Sequence, residues 1–255
     1  MIETKNLTKR YGRLLAVDRL NLFVPKGSIF GFIGPNGAGK TTTIKMLAGL
    51  IEPDSGTVLI RDTDIRQKPE NAKQQIGFIP DRPYLYEKLT GLEFLKFTAD
   101  LYGVVESAFH KKAERILDKF SLIDWKNELI EAYSHGMKQR LIMAAAILHD
   151  PKIIIVDEPM IGLDPAGIKM VKHMFRELAD SGVTFFISTH TLSIAQDLCD
   201  RIGIIQKGKL IATGTLDDLK TQAQATSGDL EAVFLKLTRE ESLLQGYQDV
   251  PGISP

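Results

Sequence analysis

The run Gly34-Pro-Asn-Gly-Ala-Gly-Lys-Thr41 fits the pattern G-x-x-x-x-G-K-[ST] at every fixed position. Its glycines let successive backbone N–H groups converge on phosphate oxygens. Lys40 supplies a point charge for the outer phosphates, and the Thr41 hydroxyl is a hard oxygen suited to Mg²⁺. Asn36, Gly37, Ala38, Gly39 and Thr42 complete the candidate cradle. By chance such a pattern appears in roughly one chain in a hundred of this size, so its surroundings matter. A second candidate group is Asp157-Glu158, two carboxylates at the end of the apolar run Ile153-Ile-Ile-Val156. Asp157 suits a metal, held directly or through its water. Glu158 suits a base that orients or deprotonates water for in-line attack on a terminal phosphate.

These residues need a frame that brings them together. Ser28 to Ile33 reads as a buried strand, and Ile44, Leu47, Ala48 and Ile51 recur at helical spacing, which gives the strand, loop, helix order a phosphate loop requires. Leu20, Leu22 and Val24 alternate ahead of Pro25-Lys26-Gly27, and a further strand pair is expected near Gly56 to Ile60. Thr90-Gly-Leu-Glu93 is a capping box opening a helix with Leu92, Leu95, Ala99 and Tyr102 on one face. Phe109 to Phe120 and Met137 to Leu148 give two more amphipathic helices before the chain returns to a strand over Lys152 to Asp157. A helix from Pro165 to about Ala179, a strand over Thr184 to Ser188, a helix near Leu192 to Leu198 and a hairpin at Lys207-Gly208 follow. The core is expected to close near Thr215. Leu230, Val233, Phe234 and Leu237 mark one more helix, and residues 240–255 read as a loose polar tail. The expected division is a nucleotide-binding core over 1–88 and 151–215, a helical subdomain over 89–150, and a C-terminal helix and tail over 216–255.

Composition excludes several alternatives. With 44% hydrophobic and 25% charged residues, the 255-residue chain reads as a globular α/β protein. Thirty-two basic residues balance thirty-two acidic ones, so no overall charge draws it to nucleic acid or anionic lipid, and no nucleic-acid partner is expected. The single cysteine, Cys199, excludes an intramolecular disulfide and a multi-cysteine zinc site, and suits the cytosol. Leu141 to Leu148 is far short of a membrane span and Met1-Ile-Glu-Thr4 does not read as a signal peptide, so a membrane role is expected to come through a partner.

Across residues 2 to about 215 the chain resembles the ATPase subunits of ATP-binding cassette (ABC) transporters, an α/β P-loop NTPase core with N-terminal antiparallel strands and a helical insertion. Tyr133-Ser-His-Gly-Met-Lys-Gln-Arg140 stands where that family has its LSGGQ-type signature, with Tyr133, His135 and Met137 in place of the usual Leu, Gly and Gln. The resemblance implies that Ser134 and Gly136 contact the γ-phosphate of ATP held by a second ATPase subunit, as a homodimer or a heterodimer. It also implies that Tyr11 stacks on adenine, that Asp164 belongs to a D-loop, and that His190 is the switch histidine at the γ-phosphate. Asp81 occupies the place of the Q-loop glutamine and could offer an oxygen to Mg²⁺. The implied cofactors are ATP and Mg²⁺. The implied function is ATP hydrolysis on the cytoplasmic face of a membrane, driving a separate integral permease, with export favoured by the signature variant. A soluble ABC-type ATPase of cofactor assembly or regulation, acting without a permease, is the alternative.

Overall fold

The computed structural model describes residues 1–82, 84–225 and 228–238. Two long strands, β1 (Ile2–Tyr11) and β2 (Leu14–Val24), pair antiparallel and turn at Gly12, where φ is +57°. After β3 (Ile29–Ile33) has left for another sheet, β4 (Ser55–Ile60) joins β1 and β5 (Thr63–Asp64) joins β4. The result is a four-stranded antiparallel sheet in the order β2-β1-β4-β5.

The larger sheet holds the chemistry. Strands β6 (Ile76–Ile79), β7 (Ile153–Asp157), β8 (Thr184–Thr189) and β9 (Arg201–Gln206) run parallel with β3, and β10 (Lys209–Gly214) closes one edge antiparallel to β9. Their order is β10-β9-β3-β8-β7-β6. β3 pairs with β8 on one side and β9 on the other, and the chain crosses from β8 past β3 to β9, so the carboxyl end of β3 is a switch point where an open sheet forms a crevice. The apolar runs follow from burial on both faces. Ile154 and Val156 of β7 and Phe185 and Ile187 of β8 enter one core, while Ile153, Ile155 and Phe186 enter the other. In that second core Phe186 packs on Phe30 and Phe32 with ring centroids 5.7 and 5.2 Å apart. Each such buried side chain contributes about 1.5–3 kcal/mol relative to exposure.

Helices α1 (Lys40–Leu47) and α2 (Pro69–Lys73) precede a helical segment made of α3 (Gly91–Leu101), α4 (Glu106–Lys119) and α5 (His135–Ile147). The Thr90 box forms as its sequence predicts: Glu93 N–H donates to Thr90 Oγ1 at 3.2 Å, and Thr90 N–H to Glu93 Oε2 at 2.8 Å. Leu95, Phe109, Leu117 and Leu141 of these helices share one continuous core with Ile154 and Val156 of the sheet. Helices α6 (Pro165–Asp180) and α7 (Leu192–Leu198) flank β8. Past Thr215, where the core is expected to close, the chain continues in helices. Thr215 and Asp218 form a second capping box that opens α8 (Leu216–Gln222), whose Leu219 is fully buried. Residues 230–238 are helical and bury Leu230 and Val233 beside Ile202 and Ile204. The expected tail over 240–255 lies outside the described residues. Among the described residues no helix is long and apolar enough to cross a membrane.

Candidate nucleotide site

The loop after β3 is built around two close approaches. A methyl group on Gly34 would lie 2.3 Å from the Ile205 carbonyl oxygen, and one on Gly39, at φ +109°, 2.4 Å from that of Ala16. Only glycine lets the loop thread between β2 and β9 at those points. Helix α1 then begins at Lys40 with no side chain capping it, which leaves its first-turn N–H groups available to an anion. Lys40 is only 8% exposed, and its Nζ donates to the carbonyls of Gly34 at 2.7 Å and Pro35 at 3.1 Å. Burial pushes its pKa down, while the charges of Glu158 and Asp157 pull it back up.

The acidic pair stands at the carboxyl end of β7. Asp157, opposite Ser188 in the β7–β8 register, is buried, and burial raises its pKa, with the charge of Asp81 adding to the rise. Thr41 lies beside it, close enough to favour the ionised form. Glu158 has φ +51°, in the left-handed region that a residue with a side chain rarely occupies, and its N–H donates to Ser188 O at 2.9 Å. Its Oε2 accepts from Thr189 Oγ1 at 3.0 Å, and its Oε1 accepts from His190 N–H at 2.9 Å and lies 2.6 Å from His190 Nδ1.

One cleft of about 650 Å³ takes in Lys40, Thr41, Asp81, Asp157, Glu158 and His190. Tyr11, Asn36, Gly37, Gly39 and Thr42 line it as well. Gly34 and Ala38 lie behind it, the first as an acceptor for Lys40 and the second only 3% exposed. The sequence reading missed Leu14, Leu15, Ala16 and Lys207. The first three follow Tyr11 directly after the Gly12 turn, a proximity signal that was readable; Lys207 arrives only through the β9–β10 hairpin. Ser134, Gly136 and Asp164 are not brought to this cleft. Ser134 caps α5, accepting from Met137 N–H at 3.2 Å, and Asp164 caps α6, accepting from Gly167 N–H at 2.8 Å. Those two helix starts adjoin each other, since a methyl on Gly136 would sit 3.2 Å from Gly162 O.

The donor set suits a hard divalent cation. Asp157, whose ionisation the charge of Asp81 disfavours, stands with Asp81 and one hydroxyl, Thr41, and all the donors are oxygens. Among the described residues no three His, Cys, Asp or Glu side chains could hold a metal by themselves. That sparse set fits a cation that completes its shell with phosphate oxygens and water, as Mg²⁺ does.

A parallel sheet with a glycine loop at its switch point and an acidic pair two strands away defines a P-loop nucleotide-binding domain. The profile of the ABC transporter family matches residues 17–161, and the chain belongs to that family. It is 37% identical over 243 residues to a probable multidrug ABC transporter ATP-binding protein, YbhF of Escherichia coli (strain K12), covering 94% of this chain and 42% of that one. It thus spans less than half the length of YbhF. It is 36% identical over 245 residues to the linearmycin resistance ATP-binding protein LnrL of Bacillus subtilis (strain 168), covering 94% of this chain and 79% of LnrL. A solved ATP-binding subunit of an ABC transporter superposes with a TM-score of 0.89 at 34% identity, over 93% of this chain and 99% of that one. The cassette MJ0796, solved as a dimer in a post-hydrolysis state with ADP and Pi, superposes with a TM-score of 0.74 at 25% identity, over 85% and 99%.

Proposed function

We propose that the chain is the ATP-hydrolysing subunit of an exporter-type ABC transporter, working as a dimer on the cytoplasmic face of a membrane and moving a separate permease. The observation that carries this reading is Glu158, clamped by Thr189 and His190 in the same cleft as Lys40 and Asp157. Tyr11, 49% exposed at the mouth, offers a ring face for adenine. The cradle over Gly34 to Thr42 binds the phosphates, and Lys40 holds its charge against the outer ones. Asp157, Thr41 and Asp81 would hold Mg²⁺, which when bound would neutralise charge on the phosphates. Glu158 takes the proton from the attacking water, and His190 orients Glu158 and reaches the terminal phosphate.

Ser134, Gly136 and Asp164 act across a dimer, on ATP in the second subunit's cleft. Their distance from this chain's own cleft supports that role, and the MJ0796 dimer supports the assembly. Losing the terminal phosphate then removes the contacts that favour the closed dimer. We read residues 1–88 and 151–215 as the nucleotide-binding core, 89–150 as the helical subdomain and 216–255 as C-terminal helix and tail. Tyr86 is 59% exposed and packs edge-on against Phe97 of α3, itself 41% exposed, an apolar pair near Asp81 that fits docking of permease helices. The names of YbhF and LnrL, multidrug and linearmycin resistance, support export.

The test is Glu158→Gln, purified with ATP from gently solubilised membranes. The expected result is retained ATP binding, loss of most hydrolysis, accumulated dimer and a stoichiometric multi-span membrane protein. Recovery only in the soluble fraction would support an assembly or regulatory ATPase instead.

A further inference from the structure

We infer that a second cleft, at the opposite end of the large sheet from the nucleotide site, binds an organic anion with an apolar body, such as an alkyl phosphate or an acyl carboxylate. It encloses about 550 Å³, a volume typical of small-molecule sites. Pro151 and Lys152 lead into β7 and Gly182 and Val183 into β8, and all four line the cleft. Asp157 and Thr189 end those same two strands, so about 16 Å of sheet separates the two clefts.

Six cationic side chains converge here from separate parts of the chain: Lys26, Arg61, Lys112, Arg115, Lys119 and Lys152. Asp150 is the one carboxylate among the lining residues, and Lys112 already pairs with it. Lys119 reaches Glu177 at 3.5 Å. Lys26, Arg61, Arg115 and Lys152 form no ion pair among the described residues; the Arg61 guanidinium donates to the neutral Gln75 Oε1, at 3.2 Å. Four uncompensated like charges around one concavity repel one another and raise the local concentration of anions. The chain is neutral overall, so this field is a local arrangement rather than a by-product of composition.

The floor defines the rest of the ligand. Ile116 and Ile154 are buried, and Ile147, Leu178 and Val183 are half-buried, so the base of the cleft is aliphatic beneath a cationic rim. A bare inorganic anion would leave that floor wet. A purely apolar molecule would leave the rim unpaired. An amphiphilic anion satisfies both, with Arg115 able to grip a phosphate or carboxylate through two N–H groups.

The experiment titrates 1-anilinonaphthalene-8-sulfonate into the full chain, with saturating Mg·ADP to occupy the nucleotide cleft, and follows its fluorescence. Arg115→Glu with Lys152→Glu is expected to weaken binding at least tenfold, and Lys68→Glu, an exposed lysine elsewhere, to leave it unchanged. The milder Arg115→Gln with Lys152→Gln is expected to fall between, which separates loss of charge from loss of fold. Dodecyl phosphate below its micellar concentration should displace the dye at least tenfold more effectively than inorganic phosphate. Equal dye affinity in wild type and both double variants would overturn the site, and equal displacement by the two phosphates would overturn the apolar body. In sedimentation with phosphatidylglycerol vesicles the chain should stay in the supernatant. Pelleting that depends on Arg115 and Lys152 would overturn the proposal in favour of a lipid surface.

Discussion

Glu158 and His190 are joined at two points: Glu158 Oε1 accepts the His190 backbone N–H at 2.9 Å and lies 2.6 Å from His190 Nδ1. One oxygen is thus fixed by the backbone of the next strand's end and by the imidazole together, while Thr189 holds the other oxygen. The left-handed backbone at Glu158, φ +51°, lifts the carboxylate out of the β7 pleat toward this partner.

This contact predicts an ordering of variants. In His190→Ala the backbone and Thr189 contacts survive, so Glu158 loses orientation but not its place, and hydrolysis should fall by roughly 10²-fold. Glu158→Gln removes the proton acceptor itself and should fall further, by roughly 10³-fold or more, with ATP affinity retained in both. Single-turnover hydrolysis and equilibrium dialysis with ATP check it. The reverse ordering would move the base role to His190.

The loop glycine gives a prediction about stability. Gly39→Ala forces a side chain into φ +109° and within 2.4 Å of Ala16 O, so the loop must shift or β2 must yield. Destabilisation of about 2–3 kcal/mol is expected, with loss of nucleotide binding. Gly37→Ala also sits at positive φ, +77°, but meets nothing within 4 Å, and should cost about 1 kcal/mol. Urea unfolding midpoints of the two variants make the comparison.

Much of this was legible in the sequence because local signals and tertiary demands agree. The runs in β3, β7 and β8 are apolar because both faces of those strands are buried, and Thr90 with Glu93 signals a helix start that the fold uses. The hairpin turns at Lys207 and Gly208, at φ +47° and +80°, as that pair suggests. Lys207 was not legible as a site residue, since only closure of the β9–β10 hairpin over the loop brings it to the cleft. The basic cleft was illegible for a stronger reason: residues 26, 61, 115 and 152 share no spacing, and the neutral total conceals them. Helix α8 was missed although Thr215 and Asp218 carry the same kind of box as Thr90 and Glu93.

His135, the first residue of α5, has a definite neighbour. The His135 ring lies so close to Gly162 that a methyl on Gly162 would meet its Cδ2 at 2.1 Å and its Nε2 at 2.5 Å. Gly162→Ala should therefore destabilise by about 2 kcal/mol or more, part from positive φ and part from the ring. In His135→Ala the space opens, so the double variant should recover about 1 kcal/mol relative to additivity. A double-mutant cycle in urea measures this, and strict additivity would show that the ring moves aside freely.

His149 makes acid stability testable. It lies stacked on Tyr102 with centroids 3.7 Å apart; its Nε2 is 3.1 Å from Ile76 O, and its buried Nδ1 has no hydrogen-bond partner. Burial pushes its pKa down from 6.5 to about 4, against the opposing bond to Ile76, so the folded ring stays neutral where the unfolded one takes up a proton. A lowered pKa on a base means the unfolded state binds more protons between those values. Stability is then fully present above pH 6.5 and is lost as pH falls toward 4. Discounted for the ring's partial exposure, the loss between pH 7 and pH 5 should be about 1 kcal/mol. His149→Gln keeps a donor for Ile76 O but cannot titrate, so its urea midpoint should change less over that interval than the wild type's. Parallel pH dependence in the two proteins would mean that other groups set the acid limb.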